Sequence, residues 1–143
     1  MSFRFTHSWD VTAARPVVYD VLRDVAWYPA WWPQVRAVAF VSDTTGRAVC
    51  RSLAPLDLDL WLTSEREDPD AGVLGVRLEG DLEGWCRFEL SDTGTGTHVD
   101  FRQEVEVCRP GLARAARVLG PALRLNHAWM MRGCRRGLAR RVS

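Results

Sequence analysis

The sequence contains no lysine and no isoleucine, so arginine supplies all 19 of the Lys+Arg residues. We attribute both absences to the codon usage of a GC-rich genome and not to selection for guanidinium groups. The chain also has no apolar run of eighteen residues and no N-terminal stretch of signal-peptide type, which argues against a membrane-spanning helix or a secretory leader. We therefore expect a cytoplasmic protein.

The sequence also lacks the spacings typical of metal sites and disulfide frameworks. Its 4 cysteines include no CxxC pair and its 3 histidines lie far apart, so neither zinc ligation nor a disulfide scaffold is indicated. There is no glycine-rich phosphate loop, GxSxG elbow or HExxH sequence. We expect reduced cysteines in the core, no metal and no cofactor, and we find no motif for hydrolysis.

The composition that remains is that of one globular domain. The 143 residues are 47% hydrophobic and 26% charged, close to the averages for soluble domains. A chain of this length buries roughly two-thirds of its unfolded surface in one core. No repeat, low-complexity segment or linker divides it, so a single domain over residues 1–143 is expected.

The pattern of apolar residues predicts an α+β protein. A helix is expected over 13–25 and a tight helical turn at 27–33, where aromatic residues alternate with prolines. After residue 109 the pattern is helical to the end, with a kink at Gly120-Pro121. Between these helices the chain alternates apolar and polar residues, with turn-rich breaks typical of antiparallel hairpins. The predicted strands are 3–11, 35–41, 47–53, 56–67, 73–79, 82–90 and 97–107.

Four short sequences point to a known superfamily. They are residues 11–19 (VTAARPVVY), 27–33 (WYPAWWP), 96–101 (GTHVDF) and 126–133 (NHAWMMRG). With the order of elements, they resemble the polyketide cyclase/dehydrase-like branch of the START/Bet v 1 (SRPBCC) helix-grip superfamily. The resemblance implies a curved seven-stranded antiparallel sheet around a long C-terminal helix, with two short helices after strand 1. It also implies a ligand cavity between the sheet and that helix.

Polar residues within apolar faces are the candidates for chemistry, because a buried polar group needs a partner or a ligand. His7 shares the apolar phase of the first strand, Arg66 continues that of 56–62, and Gln103 lies within that of the last strand. Asn126 lies in the middle of the apolar face of the C-terminal helix. Two of the four have a structural alternative: a bonded core histidine for His7 and an exposed strand end for Arg66.

A helical wheel places six residues of the C-terminal helix toward the sheet: Leu119, Leu123, Asn126, Met130, Gly133 and Gly137. The two glycines indicate either close packing or room for a ligand. Arginines 117, 124, 132 and 135 fall on the opposite side. Combining these faces, the predicted ligand-binding residues are Trp32, Phe88, Phe101, Gln103, Leu123, Asn126 and Met130.

Two aromatic residues leave the strand register open. Trp61 and Trp85 fall in the polar phase of their strands, so either they cover the outer face or a bulge shifts the register. The pattern alone does not decide between these arrangements.

Two functions follow from the resemblance. One is a cyclase or aromatase acting on a poly-β-ketone, with proximity and orientation supplying much of the rate. The other is a non-catalytic carrier or sensor of a lipid, quinone or similar apolar metabolite.

From residue 109 onward there are nine arginines and no acidic residue. This basic segment suits an acidic acyl carrier protein, an anionic membrane surface or simple solvation, whereas nucleic acid is not expected. The chain is expected to be a monomer or a homodimer.

Overall fold

A computed structural model describes residues 2–52, 57–118 and 120–143. Helices α1 (Arg15–Arg23) and α2 (Tyr28–Trp31) flank a 3-10 turn at Val25–Trp27, and helices α3 (Pro110–Val118) and α4 (Gly120–Arg141) end the chain. Leu53, Leu56 and Leu119, which belong to predicted elements, lie outside the described residues. The strands are β1 (Ser2–Val11), β2 (Val35–Phe40), β3 (Thr45–Arg51), β4 (Asp57–Asp68), β5 (Val73–Gly80), β6 (Leu82–Asp92) and β7 (Thr97–Val107).

The seven strands form one antiparallel sheet in the order β1-β7-β6-β5-β4-β3-β2, which confirms the predicted α+β helix-grip architecture. The first strand, β1, pairs with the last strand, β7, in an antiparallel register that runs from Ser2↔Glu106 to Val11↔Thr97. Every other neighbouring pair in the sheet is consecutive in the chain. The sheet is curved, and Gly84 in β6 contributes with a φ of 152°, where a Cβ atom would collide with the Glu104 carbonyl oxygen.

The buried face of α4 differs from the predicted one by one residue along the chain. The side chains it buries are His127, Met131, Cys134 and Leu138, together with Gly137. The helical wheel was misleading because α4 carries apolar residues all around, including Leu125, which is 67% exposed. A helix without a dominant apolar stripe has its rotation set by tertiary contacts and not by its own pattern. The expected arginines at 117, 124, 132 and 135 are exposed.

Close packing accounts for the two glycines of α4. A Cβ atom at Gly137 would overlap the carbonyl oxygen of Trp31, and one at Gly133 would overlap the side-chain amide of Gln34. In addition, Trp32 Nε1 donates a hydrogen bond of 2.9 Å to the carbonyl oxygen of Met130. The α2 segment is therefore held directly against the backbone of α4, and the glycines provide contact rather than space for a ligand.

Trp61 and Trp85 lie on the outer face of the sheet. The guanidinium of Arg47 lies 5.8 Å from the ring centroid of Trp61, and that of Arg87 lies 5.5 Å from that of Trp85.

No helix in the described part of the chain is long and apolar enough to cross a membrane.

Candidate ligand cavity

A cavity of about 170 Å³ lies between the concave face of the sheet and the C-terminal helix. Strands β2 to β7, α1, α2 and α4 all contribute to its walls. The walls are mostly apolar because the strands direct alternate residues inward. The residues that define the apolar walls include Trp32, Leu60, Leu74, Phe88, Phe101 and Met130.

Aromatic rings form one wall of the cavity. Phe88 and Phe101 are cross-strand partners on β6 and β7, and their ring centroids are 5.1 Å apart at an interplanar angle of 58°. Trp32 and Tyr28 approach from α2, with centroids 5.5 Å apart. The Tyr28 hydroxyl donates to the Leu22 carbonyl at 2.5 Å. That proton is therefore engaged within the protein.

The inner end of the cavity carries a short chain of polar side chains. His127 Nε2 lies 2.8 Å from Gln103 Oε1, and His127 Nδ1 lies 3.2 Å from His7 Nε2. Gln103 and His127 both line the cavity, whereas His7 is half-buried behind them. Three residues far apart in the sequence thus form one hydrogen-bonded series from a sheet edge to the cavity.

Strand register and helix rotation bring this series together. On β1, Phe5 and His7 pair with Gln103 and Phe101 of β7, so all four side chains follow the inward phase of the sheet. His127 is on the buried face of α4, and its ring stacks on that of Phe5 with centroids 3.7 Å apart and 5° between planes. The stacking orients the edge of the imidazole along the sheet, where both of its nitrogens meet polar partners.

Burial keeps both imidazoles uncharged near neutral pH. Desolvation, with a smaller contribution from the charge of His7, lowers the pKa of His127 to about 3. Desolvation also lowers the pKa of His7 below its ordinary 6.5. Since Gln103 Oε1 is an acceptor, neutral His127 carries its proton on Nε2 and donates it there. Its Nδ1 then accepts the proton of His7 Nε2.

The charged residues lie at the mouth of the cavity. Arg23, Asp43, Arg66 and Glu67 border the opening and are exposed. Both signs of charge are present there, so the mouth has no strong preference for an anionic or a cationic ligand. Charge is thus confined to the solvent side, and the inner end has neutral polar groups.

Arg66 is oriented differently from the sequence-based expectation. A bulge between Ser64 and Arg66 inserts one extra residue into β4, which reverses the phase of the strand beyond it. Arg66 pairs with Gly75, and its guanidinium lies 3.4 Å from the carboxylate of Asp68, the next residue on that face. Glu67 takes the inward phase instead. Arg66 therefore borders the mouth but does not reach the inner end.

Five of the predicted ligand-binding residues line the cavity: Trp32, Phe88, Phe101, Gln103 and Met130. Leu123 and Asn126 are not among the described lining residues. Leu123 packs in a second apolar cluster beside Phe3, and Asn126 is engaged in an interaction of its own. Both expectations followed from the helical wheel, which the rotation of α4 displaces.

His127 is the functional candidate that the sequence pattern did not indicate. It follows Asn126 directly, and the one-residue rotation of α4 exchanges the two positions. The available signal was the resemblance itself, because His127 lies within the quoted sequence 126–133. His7 was a candidate in the sequence, but the sequence did not indicate its hydrogen-bond partner, because 120 residues separate it from His127.

The cavity thiols are uncharged. Cys50 and Cys86 both line the cavity, and burial raises the pKa of each to about 12. A thiol at neutral pH is a weak nucleophile in comparison with the thiolate. Among the described residues, no group of three or more His, Cys, Asp or Glu side chains is arranged to hold a metal ion.

The curved sheet closed by a long helix, with a cavity between them, defines the helix-grip class of proteins. Within that class, the chain belongs to the family described as polyketide cyclase / dehydrase and lipid transport, whose model matches residues 11–132. A search of curated protein sequences finds no match.

Solved structures with the same fold include proteins of several kinds. A START superfamily protein from Mycobacterium smegmatis has a TM-score of 0.79 and 17% identity, covering 97% of this chain and 96% of its own. A protein from Thermus thermophilus has a TM-score of 0.77 and 17% identity, with complete coverage of both chains (100% and 100%). The Zhui aromatase/cyclase from Streptomyces sp. R1128 has a TM-score of 0.69 and 16% identity, covering 95% and 96%. These likenesses establish the fold.

Proposed function

We propose that this protein binds one apolar, ring-containing small molecule in the cavity. The observation that carries the proposal is the cavity of about 170 Å³, with aromatic walls and a hydrogen-bonding group at its inner end. An apolar cavity of about 150 Å³ is sufficient to hold benzene. The size therefore suits a ligand of one or two rings, with any longer substituent extending toward the mouth.

The expected affinity is moderate. A two-ring ligand has about eleven non-hydrogen atoms, and the ceiling on binding free energy falls from about 1.5 kcal/mol per atom for very small ligands to about 0.3 for drug-sized ones. An intermediate ceiling of roughly 0.6 kcal/mol per atom limits the total to about 7 kcal/mol, which corresponds to dissociation constants in the micromolar range or weaker. Such an affinity suits a carrier or a sensor that must also release its ligand.

The state of the polar groups favours binding without turnover. Both ring nitrogens of His127 are engaged by Gln103 and His7, so neither is left to take a proton from a ligand. The cavity thiols are protonated, and the charged residues are at the mouth. An amide such as Gln103 orients a ligand oxygen but does not serve as a base at neutral pH. The arrangement thus supports a carrier or sensor over a catalyst.

Cyclisation of a poly-β-ketone is the second candidate, and family membership favours it. A cavity that folds such a chain and bonds one carbonyl would accelerate an aldol-type closure by proximity and orientation. The exposed arginines of α4 would then suit docking of an acidic carrier protein. A poly-β-ketone thioester incubated with the protein, and analysed by mass spectrometry, should give a cyclised product faster than buffer alone if this function is correct.

Binding is tested with two neighbouring residues of β5. Val76 lines the cavity, whereas Arg77 is exposed on the other face. Val76→Phe adds a ring to the cavity and should weaken the binding of tetralin, a bicyclic hydrocarbon, by at least about tenfold. Arg77→Phe serves as the matched control and should bind tetralin as the wild type does. Isothermal calorimetry or ligand-observed NMR gives the constants. Equal binding by both variants, or none by the wild type, would contradict the proposal.

A further inference from the structure

The hydrogen-bonded series at the inner end of the cavity has a direction. His7 Nε2 donates to His127 Nδ1, and His127 Nε2 donates to Gln103 Oε1, over distances of 3.2 Å and 2.8 Å. One lone pair of the Gln103 amide oxygen is thus occupied within the protein. The amide nitrogen, with two N–H groups, is the part of this side chain that remains to donate to a ligand.

We propose that the cavity selects ligands with a carbonyl oxygen at the inner end, because the series presents Gln103 there as a hydrogen-bond donor. This inference rests on the proposed binding function and adds the chemical class of the ligand, a cyclic ketone or a quinone. His7 and His127 are positioning residues in this arrangement. They set which end of the amide faces the ligand and make no contact with it through their nitrogens.

A donor at the inner end discriminates between related ligands. A ketone oxygen accepts the N–H and has no proton of its own to satisfy. An alcohol also accepts that bond, and its O–H is able to donate to the second lone pair of Gln103 Oε1, although it then shares that oxygen with His127. A hydrocarbon leaves the N–H unpaired, which is the more costly arrangement. The order of affinity should therefore be ketone above hydrocarbon, with the alcohol between them.

His7 strengthens this direction when it is protonated. An imidazolium has two N–H donors and no acceptor, so protonated His7 is able only to donate to His127. The reversed series, in which Gln103 would donate to His127, is then excluded. Acidification toward the pKa of His7 should preserve or increase the preference for ketones.

The surroundings of His7 contain no carboxylate directed at it among the described contacts. On β1 and β7, Asp100 bonds with Ser8 and Glu104 pairs with Arg4 on the outer face. The α4 side facing β1 provides His127 and, one turn earlier, Arg124, whose guanidinium is 5.9 Å from the Phe5 ring centroid.

The test compares three bicyclic probes that differ at one position: 1-tetralone, 1-tetralol and tetralin. For the wild-type protein, the ketone should bind about tenfold more tightly than tetralin, with the alcohol between them. Gln103→Met keeps the length of the side chain but removes the donor, so it should abolish the ketone preference, and tetralin, which no longer leaves an N–H unpaired, should bind at least as tightly as it does to the wild type. Arg102→Ala, at the adjacent exposed position of β7, is the control and should retain the preference.

A spectroscopic measurement on the wild type makes the test independent of whether Gln103→Met folds. The C=O stretch of bound 1-tetralone, labelled with 13C at the carbonyl, should lie at lower frequency than in an alkane solvent. Tetralin binding with no ketone preference, or an unshifted stretch, would overturn the inference and leave the binding function standing. Failure of all three probes to bind would overturn both.

Discussion

His7 Nε2 and His127 Nδ1 lie 3.2 Å apart, although 120 residues separate them in the chain. The contact joins the first strand to the last helix, the two elements that close the sheet-and-helix arrangement at one edge. It also means that a ring nitrogen of the buried histidine has its partner in the protein before any ligand arrives.

Replacing His127 should alter the pH dependence of stability. Because the native pKa is about 3 and the unfolded value about 6.5, the unfolded chain binds more protons between these pH values. Wild-type stability should therefore fall on acidification by up to about 1.4 kcal/mol per pH unit from this group. His127→Phe keeps a ring on Phe5 and removes this dependence. The variant should be less stable at pH 7, by about 1–3 kcal/mol from the unpaired Gln103, and the difference should shrink toward pH 4.

The control for that experiment is His98→Asn, which should act in the opposite sense. The hydrogen bond to Asp10, followed by the charges of Asp100 and Asp10, raises the pKa of exposed His98. Its stabilisation is present below pH 6.5 and is lost as the pH rises through the higher native pKa. Urea unfolding at several pH values measures both differences. A constant difference between wild type and His127→Phe would contradict the burial of a neutral histidine.

Replacing His7 should weaken ketone selection without removing the cavity. His7→Phe leaves His127 Nδ1 without its partner, so the series loses one of its two hydrogen bonds and holds the Gln103 amide less firmly. The preference for 1-tetralone over tetralin should fall by about threefold to tenfold, which corresponds to the net value of roughly one hydrogen bond. Tetralin affinity should be unchanged. A fully retained ketone preference would show that His7 has no positioning role.

Gly137→Ala should destabilise the fold strongly. An added Cβ atom overlaps the Trp31 carbonyl oxygen, a backbone atom that has no rotamer with which to move away. We expect a loss of about 3 kcal/mol in the free energy of unfolding. Gly111→Ala in α3 meets no atom within 4 Å and should remain within about 1 kcal/mol of wild type, on the stabilising side. Chemical denaturation distinguishes the two, and equal effects would contradict the close packing.

Thiol accessibility should separate the four cysteines. Cys108 is exposed, and Cys50 and Cys134 are buried, while burial holds the pKa of cavity-lining Cys86 at about 12. Desolvation, followed by the charges of Glu83 and Glu106, also raises the pKa of Cys108, so exposure and not a thiolate sets its reactivity. The native protein at pH 8.5 should react with one equivalent of an aromatic disulfide reagent rapidly relative to the other three thiols, and with four after denaturation. Cys108→Ser should abolish the rapid phase. Rapid reaction of a second thiol would mean that the cavity admits the reagent and activates a thiol.

The strands were predictable from the sequence, and the helix rotation was not. Strand β7 begins at Thr97 and ends at Val107 as expected, because strict alternation of apolar and polar residues has one interpretation. The phase of α4 depends on where Trp31 and Gln34 meet its glycines, which is tertiary information. The same reason explains Arg66, since nothing in the local sequence marks the bulge that redirects it. The buried face of α4 is shifted by one residue from the predicted face, so His127 takes the inward position that was predicted for Asn126.

The contact between Gly137 and the Trp31 carbonyl limits how the cavity can evolve to accommodate ligands of a different size. Because α2 is packed directly against the backbone of α4, the part of the cavity wall that α2 forms cannot move outward. A larger side chain at Gly137 would have to separate the two backbones. Adaptation to larger ligands must instead come from another part of the lining, where Phe40 and Thr44 border the opening near the β2–β3 turn and are exposed. Divergence in ligand size among related chains should therefore concentrate in this hairpin, whereas the two glycines of α4 should change little.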